Sequence, residues 1–231
     1  MFKIKKILPV FLAILMLIPS VNVLAQEHNM TEKDLKLEEL ISSIDIDREL
    51  NNAINGVIDN EVPKEIIDQI KIEGDFISEE SLIRNFSTLP SETPEIETGY
   101  TVKKLGEIDG EPVYSMTAYA KTKTIDDEAT KLGVTALVGL VWIDNFGPEN
   151  ELESVFYGWK TTGNSTVSNR ELRILIDETN KDGIIYPRSN DYKHFSYYRK
   201  GFRFSASTTA DVSDGRNKGF INVKAETRLW N

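Results

Sequence analysis

Residues 133–160, GVTALVGLVWIDNFGPENELESVFYGWK, carry the reading that decides the fold class. From Val134 to Ile143 every residue is apolar or small, and the run is bounded by Gly133 and the turn formers Asp144-Asn145-Phe146-Gly147-Pro148. A short, uninterrupted apolar run rich in β-branched residues is the profile of a central strand covered on both faces. A second strand, Glu151 to Lys160, follows the turn, and Trp142, Phe156, Tyr157 and Trp159 bring a large aromatic area to this hairpin. No other segment offers as much to bury.

On either side of the hairpin the pattern has a period of two from Gly99 onward. Strands are expected at Tyr100–Leu105, Val113–Thr122, Val134–Ile143, Glu151–Thr161, Arg170–Asp177, Ser196–Ala206 and Phe220–Leu229. Turn signals at Asp109-Gly110, Gly163-Asn164-Ser165, Asp182-Gly183 and Asp214-Gly215 separate them. Short strands at this spacing, with no helical pattern between them, predict a mainly β protein: an antiparallel two-sheet β-sandwich of about seven strands, preceded by an acidic α-helical segment. Because Val134–Ile143 is apolar on both faces of its pleat, its outer face calls for a cover. The N-terminal helices, an oligomer contact or a membrane would serve, although the lumen side of a pore strand should be polar and this one is not.

Toward the N-terminus, Lys3, Lys5 and Lys6 precede the apolar run Ile7–Ile18, and Val23-Leu24-Ala25 ends in a small residue. This predicts an export signal cleaved after Ala25 and an extracellular product. The run is shorter than the ~20 residues a spanning helix needs, so a permanent membrane anchor is not expected. From Thr31, apolar residues Leu37, Leu40, Ile41, Ile44 and Leu50 fall at helical spacing up to a stop at Gly56. A second helix is expected from Pro63 to Gly74, and a third from Ser78 through Leu82, Ile83 and Phe86. The organisation read from these signals is a signal peptide at 1–25, an acidic helical segment at 26–86, a linker at 87–98 and a β-sandwich domain at 99–231.

Charge divides the chain in the same way. Its formal net charge is −10, yet residues 26–98 hold 19 acidic and 6 basic residues while 99–231 are balanced. An acidic chain repels nucleic acid and anionic lipid surfaces, so neither is an expected partner. Intramolecular docking of the acidic helices on the β domain is an alternative destination for that charge. The basic stretch Arg188, Lys193, Arg199, Lys200 and Arg203 could meet it, with the apolar helix stripes supplying most of the affinity.

The chemistry available is narrow. With no Cys, disulfides, thiolate metal sites and cysteine nucleophiles are excluded. Of the two histidines, His28 is expected in a disordered mature N-terminus and His194 reads as an ordinary surface residue, and no catalytic residue is assigned. Tyr157 and Trp159 share a face with Glu153 if β alternation is regular, and rings beside a carboxylate suit a sugar-binding or protein-binding face. The acidic turn around Asp177, Asn180 and Asp182 offers oxygen ligands for weakly held calcium, without EF-hand spacing and with Lys181 inside it. No other cofactor is expected. Glu149-Asn150-Glu151-Leu152-Glu153 resembles the acid-x-acid-x-acid strand of the laminarinase-like glycosidases over five residues, though it lacks their middle Asp and the extra residue before the last Glu. That resemblance implies Glu151 and Glu153 as a carboxylate pair.

The function expected from these features is a secreted, non-enzymatic β-sandwich protein with a binding or structural role at the cell surface or in the extracellular matrix. Its partner would be protein or carbohydrate. Two alternatives stand beside it: a secreted antagonistic factor of toxin or bacteriocin type with an N-terminal pro-segment, and a small glycoside hydrolase using Glu151 and Glu153.

Overall fold

The acidic leader folds where its apolar spacing says it should, but as two short helices. In the computed structural model, which describes residues 30–78, 95–122, 132–145, 150–177, 179–215 and 218–228, α1 spans Glu32–Ser42 and α2 spans Ile46–Ile54. The expected single helix is cut at Ser43–Asp45. Ser43 Oγ donates to the carbonyl of Leu40 (2.7 Å), and Asp45 Oδ1 accepts from the backbone N–H of Arg48 (3.1 Å), closing one helix and capping the next.

The second expected helix is reduced to one turn, α3 (Lys64–Ile67), after which the chain becomes strand β1 (Ile70–Ser78). Ile66, Ile67 and Ile70 fit a helical stripe. From Ile70 on, however, Ile72, Gly74 and Phe76 alternate with Lys71, Glu73 and Asp75, and nine residues pair antiparallel with strand β10 (Lys218–Arg228). The segment 26–86 is therefore not helical throughout. The expected helix beyond Ser78, the signal peptide and most of the linker lie outside the described residues; strand β2 (Ile96–Ile108) begins ahead of Gly99.

Ten strands form two antiparallel five-stranded sheets, a mainly β, sandwich-like architecture rather than one of seven strands. One sheet is ordered β1-β10-β9-β6-β7, with β6 at Thr166–Ile176, β7 at Thr179–Ile185 and β9 at Arg203–Ser213. The other is ordered β2-β3-β4-β5-β8, with β3 at Glu111–Thr122, β4 at Gly133–Ile143, β5 at Asn150–Thr162 and β8 at Lys193–Gly201. The excess over seven has three sources. β1 reads as helix, β7 is too short and polar to stand out, and the expected strand Ser196–Ala206 is two strands in different sheets. The chain changes sheet at Gly201, where a side chain would overlap Ile176 and Asp177. Asp177 Oδ1 holds the corner by accepting from the backbone N–H groups of Phe202 (2.8 Å) and Arg203 (3.0 Å).

β4 lies mid-sheet with both faces buried. Val134, Ala136, Val138, Leu140 and Trp142 face the inter-sheet core with Met116, Phe204, Ile174 and Val223. Leu137, Val141 and Ile143 face the other way, where they pack with Tyr119 and Phe156 against Leu37, Ile44, Leu50 and Ala53 of the helical segment. The N-terminal helices thus cover the outer face of β4. Lys103–Glu49 (2.9 Å), Lys160–Asp47 (3.5 Å) and Lys33–Glu151 (3.5 Å) add ion pairs across this contact. No helix among the described residues is long and apolar enough to cross a membrane.

Candidate functional site

The residues singled out from the sequence are not brought together. Leu152 and Val155 both belong to the inter-sheet core, so Glu153 and Ser154 between them lie on the same, outer side of β5. Glu153 has no register partner in either flanking ladder: Leu152 and Ser154 pair with Trp142 and Val141 on one side, and with Arg199 and Ser196 on the other. This is a β-bulge, and it reverses the facing that simple alternation predicts. Tyr157 and Trp159 remain in the core with ring centroids 6.0 Å apart, while Glu153 sits on the helix side.

Glu153 is only 2 % exposed, and its carboxyl is pushed up to about 7, chiefly by burial and then by the charge of Glu151, with Lys33 opposing and Asp34 reinforcing. Of the Glu151 and Glu153 pair, Glu153 is buried beside α1, while Glu151 stays partly exposed and pairs with Lys33 (3.5 Å). Trp159 does line a cavity of about 280 Å³ with Asp47, Lys160, Asn190, Asp191 and Tyr192, but its ring is 3 % exposed.

Of the calcium candidates, Asp177 commits one carboxylate oxygen to two backbone N–H groups at the β8–β9 corner. The side chains of Asn180 and Asp182 lie outside the described residues. Among the described residues no group of three His, Asp or Glu side chains is arranged to hold a metal ion.

A different constellation emerges at the edge formed by β7 and β8. β8 ends its sheet, and nearly all its residues are exposed, with Tyr197 packing against the core. Phe195 and Lys193 oppose the core-facing Val155 and Tyr157, whereas His194 and Ser196 oppose Phe156 and Ser154 on the helix side. β8 therefore shows aromatic and polar side chains on both of its faces.

All four exposed aromatic residues among the described ones fall here: Tyr186 (69 %), Tyr198 (55 %), Phe195 (39 %) and Phe202 (36 %). Ile184 on β7 is also exposed. Residues 186–203 contain five basic side chains and a single acid, Asp191. The rings are ordered by contacts: Phe195 lies 6.0 Å from Tyr197, the Arg199 guanidinium sits 5.3 Å from the centre of the Tyr197 ring, and His194 stacks 5.3 Å from Phe156. Arg199 also donates to the carbonyl of Tyr198 (2.8 Å). Exposed rings and cations along one edge strand of an otherwise acidic chain are suited to hold an anionic, partly apolar partner.

Sequence reading missed this set because Tyr198 and Phe202 look like inward residues of one strand, Ser196–Ala206. The available signal was the basic excess of residues 186–203 interleaved with aromatics. In the other sheet, Glu226 on β10 gathers three basic side chains. Burial would raise its carboxyl, but hydrogen bonds from Arg203 (2.7 Å), Lys224 (3.1 Å) and Arg228 (3.1 Å) outweigh that and bring it down to about 2. Compared with known proteins, the chain matches no family model, no curated protein and no solved structure.

Proposed function

We propose that the chain is a secreted, non-enzymatic binding module that holds a macromolecular partner at the cell surface or in the extracellular matrix through the β7–β8 edge. The observation that carries this reading is that one stretch of chain, residues 186–202 along and beside the edge strand β8, holds every exposed aromatic of the described residues together with Arg188, Lys193, Arg199 and Lys200. Export is supported by the charged, apolar and small-residue sequence of residues 1–25. The hydrolase alternative draws less support, since Glu153 is buried beside α1.

The test is retention of the labelled protein on envelopes of the producing cells, comparing wild type with a Tyr186→Ser, Phe195→Ser, Tyr198→Ser variant. Loss of retention by the folded variant is expected; equal retention removes this edge from the function. Mass spectrometry of protein from the medium should find Gln26 at its N-terminus.

A second reading has one observation in its favour. Leu137, Val141, Ile143 and Phe156 lie beneath α1 and α2, so removing those helices would bare a contiguous apolar patch, as a pro-segment of an antagonistic factor would. Cleavage within the Asn55–Val62 connection, where Gly56 and Val57 are exposed, should then raise binding to vesicles or target cells.

A further inference from the structure

We infer that β8 takes up an acidic, extended peptide segment of a partner protein as an added antiparallel or parallel strand. This rests on the binding reading of the β7–β8 edge and names the chemistry of what that edge holds. The first observation is geometric. β8 pairs with β5 along one edge, and no strand among the described residues adjoins the other, so alternate residues of β8 turn their backbone donors and acceptors away from β5, although the Tyr198 carbonyl already accepts from Arg199. An extended peptide is the ligand that satisfies such a row, and pockets between alternate side chains then select its sequence.

Charge selects the occupant. Lys193, Arg199 and Lys200 lie on the strand, with both faces represented, and no acidic residue occurs between Lys193 and Arg203. A second copy of this chain is a poor occupant: antiparallel self-pairing centred on Ser196, or between Ser196 and Tyr197, sets Lys193 opposite Arg199 or Lys200, where like charges directly opposite are destabilising, and pairing centred on Tyr197 gives the two cationic strands no acidic partner. Glutamate or aspartate at alternate positions of an incoming strand would meet Lys193 and Arg199 on one face of β8, while β-branched residues between them would lie against Tyr198 on the other. Arg199 is already held by the Tyr197 ring and the Tyr198 carbonyl, so little ordering remains to be done when a carboxylate arrives. An inserted lipid contact fits less well, since an open sheet edge in hydrocarbon leaves its backbone groups unsatisfied.

The experiment uses the full chain and labelled octapeptides followed by fluorescence anisotropy. One alternates glutamate with valine, one alternates lysine with valine, and one alternates glutamate with proline, which keeps the charge but cannot pair as a strand. Phosphatidylglycerol vesicles and heparin serve as non-peptide anions. The expected result is binding of the glutamate–valine peptide at least tenfold tighter than the other two, with slowed amide exchange across residues 193–200. An Arg199→Glu, Lys200→Glu variant should lose at least tenfold of that affinity while keeping its melting temperature.

Equal binding of the glutamate–valine and glutamate–proline peptides, or unchanged exchange in β8, overturns strand addition and leaves the edge as a plain anion-binding patch. Binding of vesicles or heparin alone, abolished by the same double variant, overturns the peptide and again keeps the edge as the binding surface. If no probe responds to the double variant, both this inference and the binding reading of the edge fall.

Discussion

Leu152 and Val155 face the same side of β5 although they are three positions apart, because Glu153 enters the strand as an unpaired extra residue. The bulge drives a carboxyl into the contact between β5 and α1, and its energetic signature is testable. Burial raises Glu153 from 4.5 to about 7 in the folded chain. Below about pH 4.5 it is protonated whether folded or not and has no effect; as pH rises toward 7 the unfolded chain ionises more readily, and stability falls. Glu153→Gln should therefore match wild type near pH 4.5 and exceed it at pH 8 by on the order of 2 kcal/mol. Urea unfolding at the two pH values reads this directly, and an unchanged difference between them would count against a buried, protonated carboxyl.

Glu226 should behave in the opposite sense. Its carboxyl sits near 2 when folded against 4.5 otherwise, so its stabilisation is present above about pH 4.5 and is lost as pH falls through 2. Glu226→Gln is expected to cost about 1–2 kcal/mol at pH 7, leaving Arg203, Lys224 and Arg228 without their shared partner, and to converge on wild type in acid. Acid titration of the melting temperature for both proteins checks the sign.

The ion pair between Lys103 and Glu49 fastens β2 to α2 at a carboxyl that is 1 % exposed. Lys103→Ala leaves buried Glu49 with only the longer Arg48 contact (3.9 Å) and should cost about 2 kcal/mol, partly relieved in a Lys103→Met, Glu49→Gln double variant. Faster amide exchange in Ile46–Ile54, with the strands still protected, would show that the loss is felt first at the helix.

Gly139 lies directly across from Phe156, and a Cβ there would overlap the phenyl ring. The ring fills the space a side chain would take, on the face that α1 and α2 cover. Gly139→Ala should destabilise by about 1–3 kcal/mol through forced movement of the ring, with much of that recovered by adding Phe156→Leu. Strictly additive losses in a thermal-unfolding cycle would argue that the ring and the glycine are uncoupled.

Much of the architecture is legible in the residue pattern, for a reason that the individual strands make plain. Val134–Ile143, Leu172–Ile176 and Ile221–Ala225 each bury large side chains at fixed spacing, and that spacing alone implies antiparallel sheets around an apolar core. β1 was hidden because Ile66, Ile67 and Ile70 satisfy a helical period for one turn, and only pairing with β10 decides between the two. The candidate site was less legible. The aromatics at Tyr157 and Trp159 are core, whereas those at Phe195 and Tyr198 are exposed, and nothing in residue type distinguishes the pairs.

The amino-acid order by itself determined that this chain is mainly β, free of disulfides, acidic in its leader and anchored on a strand needing cover on both faces, since apolar periodicity, charge and cysteine count are local properties. Tertiary structure alone decided what supplies that cover, where the strand at Gly201 crosses between sheets, and which way Glu153 points. Periodicity records that a face is buried but not what buries it, and a single inserted residue reverses every facing beyond it.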